Sequence, residues 1–69
     1  MERYVAERES ITVSTPYGRT QVKIKRIDGA VAGIHPEFDD CQSLAEKSGA
    51  PLRDVIESAI ASARSELGL

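Results

Sequence analysis

Residues 35–41 read HPEFDDC, and this stretch separates two parts of the sequence with different periodicity. Before it, apolar and polar residues alternate as they do in β-strands; after it, apolar residues recur at three- and four-residue steps, as in helices. The stretch also holds the only His, the only Cys and the only Phe of the chain. The sequence therefore predicts strands first and helices second.

Three strands are predicted before this stretch. Alternation runs through residues 10–14 and again through residues 20–27, and the TPYG sequence between them is typical of a turn. The Asp-Gly pair at residues 28–29 favours a second tight turn, which leads into a short third strand over residues 30–34. Tyr4 and Val5 are expected to enter or flank the first strand.

One face of the predicted sheet is polar, and it carries Thr12, Ser14, Lys23 and Lys25. This face either contacts water or pairs with another subunit or domain. Gly33, in the third strand, is the residue type expected at a β-bulge or at a close backbone approach.

Two helices are predicted after the stretch. Pro36 has no N–H to donate, so we expect it to end the sheet and open the first helix, which Gly49 ends. Pro51 begins the second helix, whose apolar stripe consists of Leu52, Val55, Ile56, Ala59, Ile60, Ala63 and Leu67. The predicted fold is α+β: a small antiparallel sheet of about three strands with both helices packed on one face, in the order β-β-β-α-α.

The chain has 69 residues, which predicts one small domain over residues 1–69. A domain of this size buries only about 60% of its unfolded surface and usually needs added support. One Cys excludes an internal disulfide, and the chain lacks a Cys and His set for structural zinc. We therefore expect a homo-oligomer, or attachment to the rest of a larger protein.

The formal net charge of −2 argues against nucleic acid as a partner. No apolar run approaches the roughly 18 residues of a membrane span, and the N-terminus lacks the layout of a signal peptide. No membrane partner is expected. The single Cys agrees with a cytoplasmic location.

The central stretch is one candidate for chemistry, because it collects residue types that bind metals: His35, Glu37, Asp39, Asp40 and Cys41. The three carboxylates suit a divalent ion such as Mg²⁺, and His35 with Cys41 suits a transition metal. The acidic residues, His35 and Cys41 can each also be explained by a structural role. Acidic residues stabilise a helix start, a lone His often ends a strand, and a free Cys on an apolar stripe is usually a small buried residue.

A cationic strand is the second candidate. Arg19, Lys23, Lys25 and Arg26 lie within eight residues, and such cations can bind phosphate. The alternative is that they are solvated residues that keep a strand from aggregating. No glycine-rich nucleotide-binding motif is present, and no motif supports covalent catalysis.

Several short motifs occur together in one register. TPYG at residues 15–18 is followed by the VKIK strand, by PEFDDC at residues 36–41, and then by Leu-Ala, a Gly and PLRDV. This combination spans residues 12–60 and resembles the C-terminal segment of the nickel insertion proteins, which act in synthesis of the nickel-pincer cofactor of lactate racemase.

The resemblance implies a nickel chelatase, a lyase, that inserts nickel into pyridinium-3,5-bisthiocarboxylic acid mononucleotide and uses CTP with Mg²⁺ or Mn²⁺. It implies this activity for the full-length proteins and not for this segment alone. The chain would be a C-terminal fragment that contributes nucleotide binding or oligomer assembly. Arg19, Lys23 and Lys25 would then contact phosphate, and Glu37, Asp39 and Asp40 the metal, with His35 and Cys41 as further metal candidates. The alternative is a structural α+β module that mediates oligomerisation without a catalytic role.

Overall fold

The computed structural model describes residues 6–69 and contains three strands followed by two helices. The elements are β1 (Ala6–Thr15), β2 (Gly18–Ile27), β3 (Ala30–Pro36), α1 (Phe38–Ser48) and α2 (Leu52–Glu66). The strands form one antiparallel sheet in the order β1-β2-β3. The predicted α+β class and element order are confirmed. Tyr4 and Val5 lie outside the described residues.

Both hairpin turns follow from their residue types. The Thr15 hydroxyl donates to the Gly18 carbonyl at 2.7 Å and accepts from the Tyr17 N–H at 3.1 Å, which closes the first turn. In the second turn, Asp28 and Gly29 have φ values of 52° and 81°. Positive φ at both central residues matches the right-handed twist of the flanking strands, and Asp-Gly tolerates it well.

A bulge interrupts the pairing of β2 with β3. Lys25 pairs with Gly33, whereas the next residue, Arg26, pairs with Val31, so Ala32 is an extra residue in β3. The bulge lies beside Gly33 and matches the first of the two roles predicted for this glycine. Because a bulge twists an edge strand, it discourages this edge from pairing with another sheet.

The core lies between the sheet and the two helices. Its buried apolar residues are Val13, Val22 and Ile24 from the strands, and Cys41, Val55, Ala59 and Ala63 from the helices. The small side chains of Ala59 and Ala63 let α2 approach the sheet closely. The Ser62 hydroxyl also donates to the Ser14 carbonyl at 2.7 Å, which ties α2 to the edge strand β1.

Element boundaries differ from the prediction at both prolines. Pro36 does not open α1: it is the last residue of β3 and pairs with Val22, and Glu37 is the N-cap. A proline is tolerated at the end of an edge strand because the missing N–H breaks no pairing. Pro51 is the N-cap of α2 and not its first residue. Gly49 caps α1 with φ of 76°, as predicted.

Within the described part of the chain, no helix is both long enough and apolar enough to cross a membrane.

Gly18 should be the glycine that least tolerates a side chain. Its φ is +133°, and an added Cβ would lie 2.7 Å from Leu44 Cδ2 of α1, whereas a Cβ at Gly29 would meet nothing within 4 Å. We expect Gly18→Ala to lower the free energy of unfolding by about 2–3 kcal/mol, and Gly29→Ala, the control, by about 1 kcal/mol. Urea unfolding followed by circular dichroism measures both. An equal loss in the two variants would contradict the combined effect of the backbone conformation of Gly18 and its contact with Leu44.

Candidate functional site

The start of α1 is hydrogen-bonded to the edge of β2. Strand β3 ends at Pro36, which pairs with Val22. Beyond this pair, α1 and not β3 lies beside β2. The Glu37 N–H donates to the Gln21 carbonyl at 2.9 Å, and the Gln21 N–H donates to Asp40 Oδ2 at 3.0 Å. The stretch at residues 35–41 therefore joins the helical layer to the middle strand of the sheet.

The three acidic residues of this stretch have different surroundings. Glu37 Oε1 lies 3.1 Å from Lys23 Nζ, Asp40 accepts the Gln21 N–H, and Asp39 is exposed. Among residues 6–69, no group of three or more His, Cys, Asp or Glu side chains is placed to hold a metal ion. The metal roles suggested for Glu37, Asp39 and Asp40 stay predictions.

Cys41 and His35 lie on opposite sides of the sheet. Cys41 is fully buried in the core, where its Sγ lies 3.8 Å from the hydroxyl of Thr20. His35 is exposed on the face that the helices leave uncovered. The structure does not bring these two predicted ligands together. The packing of Cys41 matches the usual behaviour of a free Cys as a small apolar residue.

The uncovered face of the sheet is cationic, and we call it the outer face. Lys23 and Lys25 lie there with Arg8 and His35, around a shallow cavity of about 300 Å³. The strand register explains the cluster, because Arg8 is opposite Lys25 and His35 is opposite Lys23. Gly33 leaves room for the His35 ring, since a Cβ at Gly33 would be 2.7 Å from its Nε2.

Arg8 was missed by the sequence prediction, because residues 1–9 show little alternation. Arg8 could have been found from its spacing, because Arg8, Ser10 and Thr12 are two residues apart and their side chains therefore lie on one face of a strand. Strand β1 already includes Ala6, earlier than the alternation at Ser10 indicates.

The other two predicted cations do not belong to the outer-face cavity. Arg26 Nε is 2.9 Å from Glu9 Oε1, and this pair projects from the opposite face. Arg19 lines a second cavity of about 250 Å³ at the contact between β2 and α1, together with Asp40, Ser43 and Lys47. The sequence did not indicate Lys47 as a candidate site residue, because only the position of α1 beside β2 brings it near Arg19.

The model of the nickel insertion protein family matches residues 1–56 of the chain. The chain belongs to this family. The resemblance found in the sequence is therefore confirmed.

Relatives in the family are much longer than this chain. It is 43% identical over 61 residues to a putative nickel insertion protein of Myxococcus xanthus (strain DK1622), an alignment that covers 88% of this chain and 16% of the relative. It is 35% identical over 57 residues to the pyridinium-3,5-bisthiocarboxylic acid mononucleotide nickel insertion protein of Desulfitobacterium hafniense (strain Y51), covering 83% of this chain and 14% of that protein. The chain thus spans about one sixth of the relatives that it matches.

A solved structure shares the fold. It is the apo form of the C-terminal domain of a cyclometallase involved in the synthesis of the NPN cofactor of lactate racemase. The two chains superpose with a TM-score of 0.76 and 34% sequence identity, over 88% of this chain and 42% of that domain. The β-β-β-α-α unit therefore occurs in that structure as part of a larger C-terminal domain.

The hydrogen bond of Asp40 should distinguish it from its neighbour. We expect Asp40→Ala to lower the free energy of unfolding by about 1–2 kcal/mol, because the Gln21 N–H loses a charged acceptor. Asp39→Ala is the matched control: Asp39 lies in the same first turn, and its loss removes only the interaction with the helix dipole, about 0.3–0.5 kcal/mol. Urea denaturation compares the two variants. Equal losses would show that the contact with β2 does not stabilise the fold.

The burial of Cys41 predicts slow thiol labelling. We expect iodoacetamide to modify the folded chain only as fast as the core opens, and to modify the chain readily in concentrated urea. Mass spectrometry of timed samples gives both rates. Equal rates with and without urea would contradict this burial and place the thiol at the surface.

Proposed function

We propose that this chain is the C-terminal part of a nickel insertion protein and assists the insertion of nickel, the metal substrate, into pyridinium-3,5-bisthiocarboxylic acid mononucleotide. The complete reaction belongs to a longer protein, since the chain matches only 14–16% of the relatives described above. The contribution that we assign to this chain is binding of the co-substrate CTP through its phosphates.

The outer face is the observation that carries this proposal. Lys23, Lys25, Arg8 and His35 converge on one cavity although the chain as a whole is acidic. Cations that converge on one point form charge-assisted hydrogen bonds to phosphate, which are about twice as strong as neutral ones. The cavity volume of about 300 Å³ lies at the lower end of the range for small-molecule sites.

Glu37 adjoins this site, because its carboxylate contacts Lys23. In our proposal, a phosphate group takes over the contact with Lys23, and Glu37 then contacts the Mg²⁺ or Mn²⁺ that accompanies CTP. Protein sites for Mg²⁺ commonly combine one or two carboxylates with substrate phosphates. The exchange costs little, because an exposed ion pair such as Lys23–Glu37 contributes about 0–1 kcal/mol.

Substitution of Lys25 tests the proposal. We expect Lys25→Gln to weaken binding of CTP with Mg²⁺ about tenfold, the loss expected for one charge-assisted hydrogen bond. Arg53→Gln is the control, because it removes one positive charge from an exposed position of α2 that is not on the sheet. Isothermal titration calorimetry measures both dissociation constants. Equal weakening in the two variants, or no binding to the unsubstituted chain, would refute the outer face as the CTP site.

A structural role in assembly is the second candidate, and the small core supports it. Seven apolar residues are buried among residues 6–69, while Phe38 and Leu69 are 55% and 59% exposed. Contact with a second copy or with the rest of a longer protein would cover such side chains. Multi-angle light scattering at high concentration tests self-assembly, and a strict monomer would exclude a homo-oligomer formed by this chain alone.

A further inference from the structure

The cavity between β2 and α1 is separate from the outer-face site, and we call it the Arg19 groove. Its polar lining includes Thr12, Arg19, Gln21, Asp40, Ser43 and Lys47. It exists because β3 stops at Pro36, which leaves the edge of β2 at residues 18–20 beside α1 and not beside a strand.

The two cations of the groove are available to a ligand. The ion pairs found within residues 6–69 join Lys23 to Glu37 and Arg26 to Glu9, so neither Arg19 nor Lys47 has a described carboxylate within 4.0 Å. A guanidinium and an ammonium on facing elements can bind one oxyanion from two sides.

The backbone of β2 supplies a further donor. Both hydrogen-bonding groups of Gln21 point toward α1, because its carbonyl accepts from the Glu37 N–H and its N–H donates to Asp40. Residues two apart in a strand direct these groups to the same side. The Arg19 N–H is therefore directed toward α1 as well, and it adds a fixed donor beside the two cations.

Asp40 makes the groove selective. Its Oδ2 accepts the Gln21 N–H, which fixes the carboxylate at the edge of the groove. Oδ1 can accept a hydrogen bond from a hydroxyl group of a ligand, whereas it would repel a phosphate placed on its side of the groove. The hydroxyls of Ser43 and Thr12 can donate or accept. The complementary ligand therefore has one phosphate and at least one neighbouring hydroxyl.

We propose that the Arg19 groove binds a sugar phosphate, with Arg19 and Lys47 on the phosphate and Asp40 on a sugar hydroxyl. This inference concerns a different cavity and different side chains from the CTP site, and it rests on the function proposed above only where the ligand is a mononucleotide. A ribose phosphate, as in a mononucleotide, has both groups that the groove recognises.

Ribose 5-phosphate is the probe for this proposal. The chain is labelled with ¹⁵N and titrated with ribose 5-phosphate, and the shifts of its amide signals report where the ligand binds. We expect the largest shifts at residues 18–21 and 40–47, and about tenfold weaker binding by Arg19→Gln and by Lys47→Gln. Both side chains are exposed, so neither change should disturb the core. Arg53→Gln is the charge-matched control and should bind as the unsubstituted chain does.

Two further titrations separate the parts of the proposal. Inorganic phosphate should bind about tenfold more weakly than ribose 5-phosphate, and Asp40→Asn should reduce this difference. Absence of binding, shifts confined to the outer face, or equal affinity for the two ligands would overturn the proposal. These outcomes are independent of the CTP experiment, which relies on Lys25 and a different cavity.

Discussion

The two hydrogen bonds between Gln21 and the start of α1 are the constraint on which the rest of the structure depends. They let a helix continue beside β2 where the third strand ends. This placement turns Cys41 into the core and sets Leu44 against Gly18 at the hairpin turn. It also leaves the groove beside Arg19 on the side of α1 that does not pack into the core. The contact between α1 and Gln21 therefore determines both part of the core and the position of a polar cavity.

The distribution of charge follows from the two-layer architecture. Both helices pack on one face of the sheet, so the outward positions of β1, β2 and β3 stay uncovered and collect Arg8, Lys23, Lys25 and His35. An acidic chain thereby presents one cationic surface, which attracts anions over distances of about a Debye length. Relatives of this chain insert nickel into a mononucleotide, which carries a phosphate of the kind that such a surface attracts. Two acidic residues near it have partners: Glu37 contacts Lys23, and Asp40 accepts the Gln21 N–H.

Much of the fold could be predicted from the sequence, because local periodicity and turn residues agree with the final packing. The three strands, both turns and the cap at Gly49 were expected on these grounds, and a bulge was one of the two roles expected for Gly33. The position of Pro36 at the end of β3 was not expected. It depends on pairing with Val22, a long-range contact that the local preferences of proline do not predict.

The candidate site was less predictable for the same reason. Four cations within eight residues of sequence were one candidate for a phosphate site, and Arg19, Lys23 and Lys25 were assigned to it together. Strand alternation and the docking of α1 divide the four among three environments. Arg8 and Lys47 join these sites from distant parts of the chain, and only the strand register and the helix position bring them there. Close spacing in sequence was a poor guide to close spacing in the fold.

Replacement of the matching segment in the Desulfitobacterium hafniense relative with this chain tests the central claim most directly. Nickel insertion into pyridinium-3,5-bisthiocarboxylic acid mononucleotide would be measured for this chimera and for the same chimera with Lys23→Gln and Lys25→Gln. The account predicts that the first protein inserts nickel in the presence of CTP and that the second, folded to the same extent, loses at least about nine tenths of that activity. Full activity in the doubly substituted chimera would contradict the account, because the outer face would then have no part in the reaction.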